Sequence, residues 1–170
     1  MRNAVIFMFT TAFIAVLALT GFGQGWSRDE KAIRAVASGF EKAWNRHDMD
    51  AMFASFADDA EWVNIVGMHW VGLADVKRAH QVFHSTMFKN TELKIETLTV
   101  RMISDDTAVA LLDLAMGDFT TPSGQVTKGS KDRLSLIMVK KKGRWLIAHG
   151  HNTVIDAKAA RSNPISSDMK

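Results

Sequence analysis

The chain has 170 residues, a formal net charge of +3 and no cysteine. This length suits one globular domain with a short extra segment, and the lack of cysteine excludes a disulfide framework. The charge is small, and no basic stripe alternates with aromatic residues. The basic run at 140–142 therefore indicates a solvated turn rather than a nucleic-acid site.

The first residues have the pattern of a secretory signal peptide. Arg2 gives a positive start, residues 4–19 form an uncharged and mostly apolar run, and Gly21 and Gly23 place small residues before Gln24. The alternative is an uncleaved membrane anchor, for which this apolar run is on the short side. The pattern favours cleavage after Gly23.

This division gives a signal peptide at 1–23 and a mature domain at 24–156. The remaining residues, 157–170, are polar and low in apolar content, which predicts a disordered tail. The signal predicts a periplasmic or secreted protein that makes no membrane contact after cleavage.

Two helices are predicted at the start of the mature domain. From Arg28 to Trp44 apolar residues recur at helical spacing, which is typical of one buried helix face. Ser27 and Glu30 form a capping-box pattern at its start. Asp48 is the expected N-cap of a second, shorter helix at 49–56.

The rest of the chain predicts a third helix and six strands. The helix lies at 74–87, and the strands lie at 61–66, 69–71, 93–103, 107–116, 126–140 and 144–155. Helices that precede a run of strands indicate an α+β layer structure. We therefore expect a curved sheet that wraps around the helices and leaves a conical space between them.

A set of short motifs, in this order, resembles the SnoaL-like proteins of the nuclear transport factor 2-like superfamily. The motifs are Trp44-Asn45-x-x-Asp48, Phe56-Ala57-Asp58-Asp59-Ala60, Trp62-Val63-Asn64, Gly67-x-x-Trp70-x-Gly72, Ala79-His80-x-x-Phe83, Gly143-Arg144-Trp145 and His151-Asn152-Thr153. Within the superfamily they are most similar to the SgcJ/EcaC group, which carries an oxidoreductase label.

The resemblance implies a cone-shaped, curved antiparallel sheet around three N-terminal helices, a cystatin-like roll. It also implies a homodimer packed through the outer face of the sheet. No GxGxxG motif follows a strand, so the residues do not support a nicotinamide enzyme, and we expect no cofactor.

Several polar side chains are candidates for the interior of the cone. The third helix offers His80, and strand parity with Trp145 places His151 on the pocket wall. Imidazole titrates near neutral pH, so His80 or His151 is the candidate for proton transfer. Asn64 and Arg133 are candidates for polarising a carbonyl or hydroxyl group. Asp113 is an acid in mid-strand, and its parity does not decide whether it faces the pocket or the outside.

Aromatic side chains complete the predicted pocket. Trp62 and Trp70 are expected to stack on the apolar body of a ligand, and Trp44 and Phe83 are further candidate contacts. The predicted partner is a small hydrophobic molecule. Two functions stay open: a cofactor-independent exported enzyme of isomerase, dehydratase or hydrolase type, and a non-catalytic homodimeric module for ligand binding or association.

The histidines also have less specific interpretations. Any of them can be a hydrogen-bonded core residue, and this is the preferred interpretation of His84 and His149. His80-x-x-x-His84 and His149-x-His151 together would supply four nitrogens to a metal. However, Gln81 stands where a zinc-protease helix has glutamate, and no cysteine or clear carboxylate completes a set. We expect no metal.

Overall fold

The computed structural model describes residues 10–165, with side chains described from Trp26 onward. The predicted signal peptide falls partly on residues 1–9, which lie outside the described residues, and partly on the first turns of the first helix. The end of the tail, 166–170, also lies outside. Both assignments stay predictions. None of the helices within 10–165 combines the length and apolar character needed to cross a membrane.

The described residues form four helices and eight strands. They are α1 (Thr10–Asn45), α2 (Met49–Phe53), β1 (Phe56–Val63), β2 (His69–Val71), α3 (Leu73–Ser85), β3 (Leu93–Met102), β4 (Thr107–Met116), β5 (Phe119–Thr120), β6 (Val126–Thr127), β7 (Ser130–Lys141), β8 (Arg144–Val154) and α4 (Ala157–Ala160). Asp48 caps α2 as predicted, since its side chain accepts a hydrogen bond from the Ala51 amide.

Six strands form one curved sheet in the order β2-β1-β8-β7-β4-β3, and β5 and β6 form a separate hairpin. The α+β architecture is as predicted, with helices packed against one face of the sheet. The sheet is mixed rather than antiparallel, because β1 runs parallel to β8 while every other neighbouring pair of strands in this sheet is antiparallel. A parallel neighbour is possible because most of the domain separates β1 from β8 along the chain.

The core lies between the helices and the inner face of the sheet. The predicted face of α1 is buried, and alternate residues of β4 and β7 meet it. These buried residues are Ile33, Ala37, Phe40, Trp44, Leu112, Leu114, Leu134, Leu136 and Met138.

Side chains of α1 satisfy the free edge of β3. Asn45 Nδ2 donates to the Leu93 carbonyl at 2.8 Å, and the Leu93 amide donates back to Asn45 Oδ1 at 2.8 Å. The Ile95 amide donates to Glu41 Oε1 at 2.9 Å. An edge strand otherwise leaves such groups unpaired, so these contacts both protect the edge and fix α1 against the sheet.

Several predicted boundaries differ from the structure. The strand predicted at 61–66 is β1 at Phe56–Val63, and the strand predicted at 126–140 divides into β6 and β7. The first two helices also differ. Ser27 lies inside α1, so it is not an N-cap, and Glu30 instead accepts hydrogen bonds from Arg34. The second helix ends at Phe53, and Phe56 already belongs to β1, where its side chain is buried in the core. Burial of this ring in the sheet outweighs the helical periodicity that favoured a longer helix.

The start of the predicted disordered tail forms one helical turn, α4. Asp156 caps it, with its side chain accepting from the amides of Lys158 at 2.7 Å and Ala159 at 3.0 Å. The residues of this turn are exposed. Local capping alone therefore accounts for the structure seen here.

Candidate functional site

A β-bulge interrupts the last long strand. Met138 of β7 pairs with Ile147 of β8, but Ile137 pairs with His149, which leaves Ala148 without a counterpart. An extra residue on one strand reverses the facing of every side chain beyond it. The parity that holds before Ala148 therefore cannot be extended to the end of β8.

This bulge corrects the predicted position of His151. Trp145, before the bulge, is buried in the core as expected. After the bulge Gly150 is buried and Asn152 is half-buried on the inner face, whereas His149 and His151 face outward and His151 is exposed. Asn152 is thus the polar residue that β8 brings to the cone.

His80 lies inside the cone and is only 7% exposed. Its ring meets the rings of Phe53, Trp62 and Trp70 edge-on, at centroid distances of 5.2, 5.1 and 5.7 Å. Burial lowers the pKa of His80 to about 4, and a hydrogen bond to the Val76 carbonyl opposes the shift only in part. A carbonyl can only accept, so in the neutral ring Nδ1 carries the proton and Nε2 is a bare acceptor.

Trp62 positions the side chain of Asn152. The Trp62 indole Nε1 donates to Asn152 Oδ1 at 3.2 Å. Because an indole N–H can only donate, this contact identifies which end of the Asn152 amide is the oxygen and which is Nδ2. The ring also lies flat on Gly150, where an added Cβ would come within 2.3 Å of two ring carbons. Among the described residues, none accepts a hydrogen bond from Asn152 Nδ2. Its N–H donors are therefore available to a ligand.

Asp132 is a buried acid on the inner face of β7, only 5% exposed. Asp132 lies two residues before Leu134 and faces the same side of the sheet, and Leu134 pairs with Asn152 on β8. Within the described residues, Asp132 Oδ1 and Ser130 Oγ are both buried without a hydrogen-bond partner. Burial raises the pKa of Asp132. The Ser130 hydroxyl opposes this because it lies near the carboxyl, although the two groups do not meet in hydrogen-bonding geometry. Unpartnered buried polar atoms are rare and mark a place where another molecule or a proton belongs.

Arg133 and Asp113 lie on the outer face of the sheet, opposite to the cone. Arg133 Nε donates to Asp113 Oδ1 at 2.7 Å, and a second guanidinium nitrogen donates to Oδ2 at 3.2 Å. This hydrogen-bonded pair lowers the pKa of Asp113 and raises that of Arg133. The predicted role of Arg133 inside the pocket is corrected, because alternation along β7 puts Leu134 inward and Arg133 outward.

Asn64 belongs to the turn between β1 and β2. Its Oδ1 accepts hydrogen bonds from the amides of Val66 at 3.1 Å and Met68 at 2.9 Å. The chain leaves β1 at Val63, so the predicted alternation does not reach Asn64. This side chain shapes the turn, and its predicted contact with a ligand carbonyl is corrected.

The remaining aromatic candidates divide between the core and the cone. Trp44 is buried, and its indole donates to the Thr91 carbonyl at 3.0 Å, so it joins α1 to the loop before β3. Phe83 is half-buried with its ring 5.9 Å from that of Trp70. Trp70 is itself half-buried on the short edge strand β2. The structure therefore groups Phe83 and Trp70 near His80 and leaves Trp44 deeper in the core.

His84 forms a hydrogen-bonded pair with His47. The two Nδ1 atoms lie 2.8 Å apart, and the ring of His84 packs edge-on to Trp44. Burial, with smaller effects from His47 and His80, lowers the pKa of His84 to about 4. No group of three or more His, Asp or Glu side chains within the described part of the chain is arranged to hold a metal ion.

Comparison with known proteins identifies the family. Residues 33–157 match the model of the SnoaL-like domain. No protein of curated function matches the chain. A solved structure of an uncharacterized protein with a cystatin-like fold from Caulobacter vibrioides is 34% identical, with a TM-score of 0.79 over 81% of this chain and 97% of that one.

Two more distant structures share the fold alone. One is a ketosteroid isomerase-like protein from Erwinia carotovora, 23% identical with a TM-score of 0.60, covering 74% of this chain and 95% of that one. The other is a candidate scytalone dehydratase from Novosphingobium aromaticivorans, 14% identical with a TM-score of 0.67, covering 79% and 89%. Because the family model spans most of the domain, this chain is a member of the SnoaL-like domain family.

Proposed function

We propose that the protein binds a small hydrophobic molecule in the cone and carries out cofactor-independent proton transfer on it. The observation that carries this proposal is Asp132, a buried inner-face carboxyl group with an unpartnered oxygen and a raised pKa. Burying such a group destabilises a fold. A role in binding or catalysis accounts for its presence there.

Other polar groups on the inner side of the sheet fit a ligand with one carbonyl or hydroxyl oxygen. Asn152 Nδ2 is free to donate to that oxygen, and His80 Nε2 is free to accept from a hydroxyl group. The half-buried ring of Trp70 offers stacking surface for an apolar body, and Trp62 lies buried next to it on the paired strand. Trp70 is half-buried on an edge strand, so it is the ring that moves to admit the ligand.

These groups supply what an isomerase or dehydratase step needs. The Asp132 carboxylate removes a proton from the carbon next to a carbonyl group, and Asn152 donates to the oxygen on which negative charge develops. The protonated carboxyl then returns the proton to another carbon, or gives it to a departing hydroxyl that leaves as water. A raised pKa makes the carboxylate a stronger base near neutral pH. The names of the two distant neighbours, isomerase-like and dehydratase, support this reaction class by analogy of fold.

Exchange of α-protons tests the proposal. Cyclohexanone, 1-tetralone and 2-tetralone are incubated with the protein in D2O, and loss of the α-proton signals is followed by NMR. We expect exchange above the buffer rate for at least one ketone. Asp132→Asn should abolish it, because the amide keeps the shape of the carboxyl but is not a base.

Asp113→Asn is the matched control, since this carboxyl lies on the outer face in its pair with Arg133. It should exchange protons at the wild-type rate. A ketone that exchanges equally fast with wild type and with Asp132→Asn would contradict the role of Asp132. Binding without exchange in either protein would leave a ligand-binding function and remove the catalytic one.

The second candidate is a non-catalytic homodimeric module, and one observation favours it. The outer sheet face carries Leu111, 38% exposed, and Ile137, 42% exposed, on the neighbouring strands β4 and β7. Exposed apolar side chains that cluster on a sheet face mark association sites. We propose a homodimer packed through this face. Ile137→Lys should shift the mass in native mass spectrometry from dimer to monomer, and Val126→Lys, on the separate hairpin, should not.

We also propose that the protein is exported and belongs to the SgcJ/EcaC group. The basis is the pattern of Met1–Gly23 and the motif resemblance. N-terminal sequencing of protein from the periplasm or medium should begin at Gln24. A mature chain that retains Met1 in a membrane fraction would contradict cleavage. That group carries an oxidoreductase label, but no GxGxxG motif follows a strand in this sequence to support nicotinamide binding.

A further inference from the structure

A second cleft lies outside the cone, between the turn that follows α3 and the β5–β6 hairpin. Its volume is about 260 Å³. The turn contributes residues between Thr86 and Thr91, and the hairpin side contributes Asp118, Phe119 and Val126, among others. None of the residues assigned to the cone site lines it, so it is a separate site.

The two walls of this cleft are fixed to each other. Thr91 Oγ1 donates to the Asp118 carbonyl at 2.9 Å. Phe88 belongs to this turn, and its ring contacts that of Phe119 edge-on at a centroid distance of 5.4 Å. The turn itself is tied to α3, because the Phe88 amide donates to the Phe83 carbonyl at 2.9 Å. A cleft with such walls binds a ligand without first ordering a loop.

The charge in the cleft is unbalanced. Asp118 is neutralised by Lys128, whose Nζ lies 2.9 Å from its carboxylate. Lys89 has no ion-pair partner among the described residues, and the side chain of Asn90 beside it makes no hydrogen bond there either. Both are exposed at the cleft. One ammonium group and one amide are therefore free to bind an anion.

The other part of the cleft is apolar. Met87 and Phe119 are half-buried, and Val126 is 57% exposed although it is a hydrophobic residue. The volume is below the range of about 300–1,000 Å³ that is usual for drug-sized ligands. At roughly 30 Å³ for each water-sized group, it holds at most about nine non-hydrogen atoms.

We propose that this cleft binds a short-chain carboxylate, with the carboxylate on Lys89 and Asn90 and the hydrocarbon chain on Met87, Phe119 and Val126. This goes beyond the proposed function, since it involves a different site and different residues. The size of the cleft matches a carboxylate of about six carbons.

The test is a titration of the ¹⁵N-labelled mature protein with hexanoate, followed by NMR. We expect shifts at the amides of residues 86–91 and 118–120, with a Kd of about 1 mM. Lys89→Met should weaken hexanoate binding about fivefold, as expected for an exposed ion pair. Lys142→Met, a change in the β7–β8 turn, should leave it unchanged. Hexanol and hexylamine should bind more weakly than hexanoate to the wild type.

Three results would overturn the proposal. The first is the absence of shifts at the cleft amides up to about 10 mM hexanoate. The second is equal binding of hexanoate and hexanol together with no effect of Lys89→Met, which would leave only non-specific apolar contact. The third is a hexanoate response at the Trp62 indole rather than at residues 86–91. Lys89 is exposed, and an unchanged spectrum away from the cleft verifies that the variant is folded.

Discussion

Acidification should destabilise the fold through His80. The ordinary pKa of 6.5 falls to about 4 in the folded chain because the ring is buried. Between these values the unfolded chain binds a proton that the folded chain does not, so the free energy of unfolding falls as the pH falls. The full effect of the shift is about 3 kcal/mol, at 1.36 kcal/mol per pKa unit. Above pH 6.5 this contribution is fully present.

Urea unfolding at about pH 7, 5.5 and 4.5 measures this loss. His80→Gln removes the titrating group, so the free energy of unfolding of this variant should fall by about 2.4 kcal/mol less than that of the wild type between pH 7 and pH 4.5. His84 is shifted in the same direction and accounts for part of the remaining slope. His69→Gln is the control, because His69 lies exposed beside Glu61 on the outer face. Equal slopes for wild type and His80→Gln would refute the burial of a neutral His80.

Further variants test the packing of the cone and its edge. Gly150→Ala places a Cβ within 2.3 Å of the Trp62 ring and should cost about 1–3 kcal/mol in thermal unfolding, whereas Gly39→Ala, with nothing within 4 Å, should be neutral or stabilising. Equal behaviour of the two would contradict the ring contact. Asn45→Ala leaves both backbone groups of Leu93 unpaired and should cost about 2–3 kcal/mol, and a loss below about 0.5 kcal/mol would show that water replaces the side chain. Asp132→Asn should raise stability at pH 7 and lose this advantage below pH 3.8, where the carboxyl is protonated in both states; destabilisation at pH 7 would contradict its burial as a charge.

Alternation and helical spacing predict most of the elements, because burial on one face imposes a regular period. The predicted bounds of β2 and β4 agree with the structure, and the buried face of α1 is the one expected from its apolar residues. The parallel pairing of β1 with β8 has no such signature. The parallel pairing depends on the long connection that brings β8 back beside β1, and a local sequence pattern does not predict such a connection.

The same limit applies to the site. Trp62, Trp70 and His80 come together as expected because they lie on well-predicted elements. His151 does not, because one extra residue at Ala148 changes the facing of β8, and no residue type at this position marks the bulge in the sequence. Asn152 was missed for the same reason.

The inward orientation of Asp132 could have been predicted from the sequence. It alternates with Leu134 and Leu136, which are buried, so strict parity along β7 would place it inward and Arg133 outward. The usual preference of acids for solvent argues the other way, and this preference fails where a carboxyl is kept inside for another purpose.

The most direct test of the ligand site is a crystal structure of the mature domain with a ketone that binds in solution. We expect the ketone in the cone, with its oxygen within hydrogen-bonding distance of Asn152 Nδ2, its body against Trp62, and Trp70 moved from its position beside His80. A ketone bound elsewhere, with Trp70 still packed against His80, would contradict a ligand site in the cone.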